Sequence, residues 1–120
     1  MVERFHPKRG SIYWVDLDPV IGSEQGKKRP CLVLQNDVGN ATSTTTIVAC
    51  ITSQLPSRHY PFHVWLPDNL LEKQSVVLCE QLRTVATERF DAEVLATCPE
   101  TVMNQVERAI RVSLGLARTS

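Results

Sequence analysis

Residues able to move a proton and hold negative charge cluster in one stretch, Gly22 to Asp37, which reads Gly-Ser-Glu-Gln-Gly-Lys-Lys-Arg-Pro-Cys-Leu-Val-Leu-Gln-Asn-Asp. Its first half is polar and carries Glu24, Lys27, Lys28 and Arg29; from Pro30 it turns apolar through Leu34. That pattern is a loop feeding a buried strand. A carboxylate can accept or return a proton and a guanidinium can hold negative charge, so Glu24 and Arg29 at a strand mouth suit phosphate-ester chemistry. Thr52 follows another apolar run, where a hydroxyl can bond a phosphate or orient a nearby oxygen. The plainer reading is a charged loop with a surface ion pair between Arg29 and Glu24 and a strand-end threonine.

The histidines invite a different mechanism, with two imidazoles as base and acid. His59 and His63 share face parity on a strand, but four residues of strand rise part them by roughly 13 Å, too far for one phosphate. They read instead as a substrate contact and a strand surface residue. His6 falls in a mobile N-terminal arm. Tyr13, Trp14 and Trp65 could stack on unpaired bases, although aromatics in a small β domain more often fill a core or an interface.

The elements that hold these residues follow from pattern. Ser11 to Leu17 is β-branched and aromatic, and reads as a strand ended by Asp18-Pro19. Strands are also expected over Pro30–Gln35, Thr44–Ile51, Tyr60–Leu66 and Gln74–Val85, with a further short one within Phe90–Ala96. Asn36 to Ser43 reads as a turn-rich loop. A helix is expected from about Pro99 to Leu114, with Val102, Met103, Val106, Ile110 and Leu114 on its apolar face and Gly115 as its stop. Either Pro99 occupies the first helical position with Cys98 as the cap, or Thr97 caps and forms a capping box with Glu100. Five or six short strands and one terminal helix make the fold class mainly β, a small curved antiparallel barrel with the helix packed on it. A barrel of this size leaves function to loops at a mouth or to a groove between two copies.

Composition narrows the class. The 120 residues suffice for one domain, 1–120, and 42% hydrophobic content favours folding over disorder. Net charge is zero, with 13 basic and 13 acidic side chains, which excludes a uniformly basic nucleic-acid coat. Six of the 13 positive charges nonetheless lie in the first quarter of the chain, at Arg4, Lys8, Arg9, Lys27, Lys28 and Arg29, a patch suited to a single strand. Cys31, Cys50, Cys79 and Cys98 form no Cys-x-x-Cys pair, so neither zinc nor a disulfide framework is expected. Three of them sit in apolar runs as small buried hydrophobes. The N-terminal residues carry no apolar signal core and no run is long enough to cross a membrane, so a reduced cytoplasmic protein is expected.

Five stretches in order resemble the MazF/PemK family of toxin endoribonucleases: Gly10–Pro19; Gly22-Ser23-Glu24-Gln25 followed by Lys28-Arg29-Pro30; Gln35-Asn36-Asp37; Thr46–Ala49 with Ile51-Thr52-Ser53; and Glu80-Gln81-Leu82-Arg83-Thr84-Val85. The resemblance spans about Arg9 to Leu116. It implies an SH3-like barrel of the MazF/CcdB type, a homodimer, metal-independent and cofactor-free cutting of single-stranded RNA at short sequences, and a cognate antitoxin with an acidic tail. It implies Arg29, Thr52 and Glu24 as catalytic residues and Lys28, Ser53, His59, Gln81 and Arg83 as RNA contacts. Arg83 could equally serve a dimer ion pair and Gln81 the strand's own hydrogen bonds. One departure is Glu80, where the family often has Asp; its carboxylate is one methylene longer. Metal-free cutting uses the substrate 2′-hydroxyl and leaves a 2′,3′-cyclic phosphate and a 5′-hydroxyl, so DNA would bind uncut. The competing reading is a non-catalytic gyrase poison of the same barrel type, whose contacts would lie on the C-terminal helix; a third is an inactive member kept for antitoxin pairing.

Overall fold

A computed structural model describes residues 4–19, 21–24 and 26–116; Gln25 of the signature and residues 1–3 lie outside it. Alternating burial builds β1 (Ser11–Asp16), and the apolar runs build β2 (Lys28–Val33) and β3 (Thr45–Thr52). β4 (His63–Trp65), β5 (Val76–Ala86) and β6 (Ala96–Thr97) complete one antiparallel sheet, a half-barrel of order β4-β5-β3-β2-β1-β6. β2 begins two residues earlier than expected, so Lys28 and Arg29 belong to the strand rather than the loop.

Both sheet faces are covered. One face, with Ile12, Leu32, Ala49, Ile51 and Val77, packs on α2 (Glu100–Leu114) through Val102, Met103, Val106 and Ala109. The other carries Tyr13, Val15, Cys31, Val33, Val48 and Cys50, closed by Phe5 and Phe90. Phe5 stands edge-on to Tyr13 with centroids 5.3 Å apart, so Tyr13 is core, as an aromatic in a small barrel should be.

Several local expectations give way. Residues 37–42 form a short helix, α1 (Asp37–Thr42), because the Asn36 side chain caps it by accepting from the Gly39 N–H at 2.8 Å. Pro99 itself is the α2 cap residue, with no side-chain hydrogen bond, so neither Cys98 nor Thr97 caps. Gly115 ends α2 at φ 69°, a conformation that favours glycine. On α2, Leu114 is exposed, and Ala109 rather than Leu114 completes the buried stripe. His6 is not in a free arm: its Nδ1–H donates to the Asn40 carbonyl at 3.0 Å.

Pro30 lies inside a central strand, and the hydrogen-bond phase accounts for its place. The Leu17 N–H donates to the Lys27 carbonyl at 2.9 Å, which makes Trp14 opposite Pro30 a non-hydrogen-bonded pair that asks for no proline N–H. Toward β3 the phase is the reverse. The Leu34 N–H donates to the Ile47 carbonyl at 2.8 Å, so the rung Pro30 would share with Ile51 needs a donor that proline lacks. The paired register between β2 and β3 accordingly ends at Cys31 opposite Cys50.

Candidate active site

Continuing the β2–β3 register past that last rung sets Arg29 opposite Thr52, on a non-hydrogen-bonded position with both side chains on one face. On its other side Thr52 pairs with Val76 of β5, and Val76 with Trp65 of β4. Arg29, Thr52, Val76 and Trp65 therefore form a row across the strand mouth. Arg29 Nε donates to the Gly26 carbonyl at 3.0 Å, which fixes the guanidinium plane and leaves the terminal nitrogens without another bond among the described residues. Thr52 is buried, and its Oγ1 accepts from the Gln54 N–H at 3.1 Å, leaving the hydroxyl proton to a further acceptor.

The loop joining β1 and β2 is fastened at its root. The Arg83 guanidinium crosses from β5 to donate to the Leu17 carbonyl at 2.9 Å. Arg89, in a 3₁₀ turn after β5, donates to the Asp16 carbonyl at 3.1 Å and to the Asp18 carbonyl. The Lys27 N–H, at a left-handed φ of 64°, donates to Asp18 Oδ1 at 2.7 Å. Glu24 does not reach Arg29: its Oε1 accepts from the Ile21 N–H at 2.7 Å within its own turn.

The remaining expected contacts divide between two faces. By strand alternation Lys28 and Ser53 point away from Arg29 and Thr52, toward the α2 side. There they line a cleft of about 510 Å³ with Trp14, Pro30 and Ile51, which reaches round the strand end to Arg29. Lys28 Nζ is 2.6 Å from Asp91 Oδ2, an exposed ion pair. Ser53 is exposed, and Gln81 makes no side-chain hydrogen bond among the described residues. Cys79, Glu80 and Gln81 form a bulge with no partners on β3, between the rungs Cys50–Leu78 and Ala49–Leu82.

The bulge places Glu80 against His63, with Oε2 and Nε2 2.9 Å apart. The longer carboxylate thus serves a histidine. His63 is not a strand surface residue; its side chain is 6% exposed, and its buried Nδ1 has no partner among the described residues. His59, in the loop before β4, stacks on Trp65 with centroids 4.5 Å apart and planes 10° apart.

The Cys31 thiol donates a weak hydrogen bond to the Arg29 carbonyl at 3.8 Å and faces Cys50 across the ladder. The facing Cys31 thiol, aided by the Arg83 and Arg29 charges, holds Cys50 below the ordinary thiol value, while Cys50 and burial push Cys31 up. Sequence reasoning missed the Cys31–Cys50 pair, which only the register brings together. It also missed Arg89, whose partners lie 71 and 73 residues away with no local signal.

A curved antiparallel sheet with one C-terminal helix and an Arg–Thr pair at a strand mouth defines a small half-barrel β domain, and comparison gives the family. The chain belongs to the PemK-like, MazF-like toxins of type II toxin–antitoxin systems, whose family model matches residues 8–114. It is 44% identical over 111 residues to Endoribonuclease EndoA of Bacillus subtilis (strain 168), covering 91% of this chain and 95% of that one. Among solved structures it is similar to MazF of Deinococcus radiodurans (TM-score 0.81, 32% identity, 93% of this chain and 99% of that one). The MazE–MazF complex of the same organism matches at TM-score 0.75 and 28% identity, over 94% and 99% of the two chains. No helix among the described residues is long and apolar enough to cross a membrane.

Proposed function

We propose that this endoribonuclease toxin of the MazF/PemK type cuts single-stranded RNA through the substrate's own 2′-hydroxyl, with Arg29 and Thr52 on the scissile phosphate. The observation that supports this is their opposition on one face, one full step beyond the last β2–β3 rung. Arg29, planar and held at Nε, offers two terminal nitrogens to the non-bridging phosphate oxygens and stays charged through the reaction. The Thr52 hydroxyl donates a hydrogen bond to a phosphate oxygen as charge builds on phosphorus. Glu24 receives the 2′-hydroxyl proton at Oε2, since Oε1 is occupied by Ile21. The P–O5′ bond breaks, the departing 5′-oxygen takes a proton from water, and the products are a 2′,3′-cyclic phosphate and a 5′-hydroxyl.

Lys28, Ser53, His59, Gln81 and Arg83 form the wider RNA-contacting set, with Arg83 also holding the loop root through Leu17. The domain works as a single unit in the cytoplasm, as a homodimer whose two mouths form one groove. Its neutralising partner is a cognate antitoxin with an acidic segment. The MazE–MazF match supports this pairing.

The test is incubation with long mixed-sequence single-stranded RNA in excess EDTA, beside Arg29→Ala, followed by end mapping. Cuts at a short motif with cyclic-phosphate ends, lost in the variant, are expected. No cutting by folded protein would overturn the reading and make gyrase the next target.

A further inference from the structure

We infer that Cys31 and Cys50 are an oxidative modification site, a dithiol that a small peroxide closes to a disulfide and that thereby slows RNA cutting. The two residues face each other on the last rung of the β2–β3 ladder. Because Leu34 and Ile47 share a hydrogen-bonded rung, Cys31 and Cys50, three rungs along, occupy a non-hydrogen-bonded one. There Cα atoms stand about 4.5 Å apart with side chains directed at one another, inside the range a disulfide spans, about 4.4–6.8 Å. All four cysteines are free thiols, so the pair is in its reduced form.

The surroundings distinguish this pair from the other two thiols. The facing Cys31 thiol and the Arg83 and Arg29 charges favour a thiolate at Cys50. Burial instead pushes Cys79 up to about 12 and Cys98 to about 11, which keeps them protonated and inert. Both thiols of the pair are buried, which restricts the reagent to a small one. At the adjacent strand end Pro30 forms no rung with β3, so the β2–β3 ladder is already open next to the pair.

The chemistry balances without a bound cofactor. The Cys50 thiolate attacks one oxygen of hydrogen peroxide, the O–O bond breaks, and the departing hydroxide takes up the thiol's proton to leave as water. The resulting Cys50 sulfenic acid is attacked by the Cys31 sulfur. The S–O bond breaks, the S–S bond forms, and a second water departs with the Cys31 proton. Two thiols are oxidised and one peroxide is reduced to two waters.

Closure has a mechanical consequence. Facing Cβ atoms lie about 4.5–5.5 Å apart in a sheet and about 3.8 Å apart in a disulfide, so the bridge draws the strands together by roughly 1 Å. Arg29 and Thr52 are the next same-face pair along the same two strands. A 1 Å misplacement of a catalytic group can cost about a hundredfold in rate. The effect on cutting rests on the placement of Arg29 and Thr52 proposed above; formation of the bridge does not.

The experiment treats the full reduced chain with hydrogen peroxide, alkylates the remaining thiols, and measures intact mass, a non-reducing peptide map and RNA cleavage in parallel. Expected are loss of two hydrogens, a Cys31–Cys50 peptide pair, alkylated Cys79 and Cys98, and a roughly tenfold to hundredfold drop in cleavage that dithiothreitol reverses. Cys31→Val with Cys50→Ala should cut like the reduced chain and ignore peroxide; Cys50→Ser alone is the alternative if the double variant does not fold. Alkylation of all four thiols after peroxide would overturn the modification site. A mapped bridge with unchanged cleavage would overturn its coupling to the site, while wild-type chain that fails to cut even when reduced would overturn the function reading instead.

Discussion

Arg29 and Thr52 face each other across β2 and β3 where the ladder has stopped, and the reason it stops is the residue between Arg29 and the last rung, Pro30. The missing proline donor leaves the Arg29 guanidinium and the buried Thr52 hydroxyl opposite each other beyond the ladder, while Thr52 remains pinned to Val76 on its other side. Arg29→Ala should keep the fold and lower kcat by about a hundredfold, the usual worth of one charge-stabilising donor, about 3 kcal/mol. Arg29→Lys should rescue little, because an ammonium lacks the planar fork that engages two oxygens. Thr52→Ser should retain most activity and Thr52→Ala lose it. Single-turnover cleavage with circular dichroism checks all four; full activity in Arg29→Ala would remove it from the phosphate.

Glu24 is tied to Ile21 rather than to Arg29, and this sets an order among variants. Glu24→Gln keeps an oxygen to accept from the Ile21 N–H, so its loop should hold while the proton acceptor is lost. Glu24→Ala loses both. Cleavage should fall in both, further in the alanine variant, and the alanine variant alone should cleave faster under limited proteolysis at the loop. Equal activity in Glu24→Gln and wild type would assign the base elsewhere.

Much of this was legible in the sequence for a physical reason. β1 and β3 alternate or run apolar between turn residues, and α2 carries a three- and four-residue stripe, so their type follows from local pattern. The Arg29, Thr52 and Glu24 motifs were visible as well. What could not be read was set by tertiary partners. Glu80 finds His63 only because a three-residue bulge turns β5, and Arg89 reaches Asp16 across most of the chain. Asn36 shows the reverse failure: a turn residue by type, it is the cap of a short helix.

Arg83 and Arg89 both end on carbonyls at the root of the β1–β2 loop, so the loop carrying Glu24 is oriented from β5 and the turn after it. Arg89→Ala should lower kcat several-fold while KM stays within about twofold, because it touches backbone rather than RNA. Hydrogen exchange should speed up in residues 16–18 and 27–28 with the core unchanged. Arg89→Lys should restore part of the rate through one remaining donor. An unaltered kcat with faster exchange would separate loop order from catalysis.

Asp37 supplies a pH dependence whose sign can be stated. The Arg9 backbone N–H, with the Asn40 amide and the Lys8 and Arg9 charges, holds its carboxyl below the ordinary value. A depressed folded-state pKa contributes stability that is fully present above the unfolded value, about pH 4, and lost as pH falls through the folded one. Asp37→Asn should therefore flatten the fall in Tm below about pH 4 and lower Tm slightly at neutral pH. A Tm profile parallel to wild type across that range would show that the contact carries no linkage.

His59 lies flat on Trp65, which stands two strands from Thr52 in the same cross-sheet row. Strand spacing of about 4.8 Å puts that stack roughly 10 Å from Thr52, within reach of a nucleotide flanking a phosphate held there as proposed. His59 covers one indole face and is exposed itself, so its outer face offers a platform to one base. Stacking on such a ring is worth about 1–3 kcal/mol per base and tolerates any base. His59→Ala should raise KM for a short RNA about tenfold with kcat little changed, and His59→Phe should restore it. A KM unchanged in His59→Ala, with the fold intact, would place the flanking base elsewhere and leave the stack as packing over Trp65.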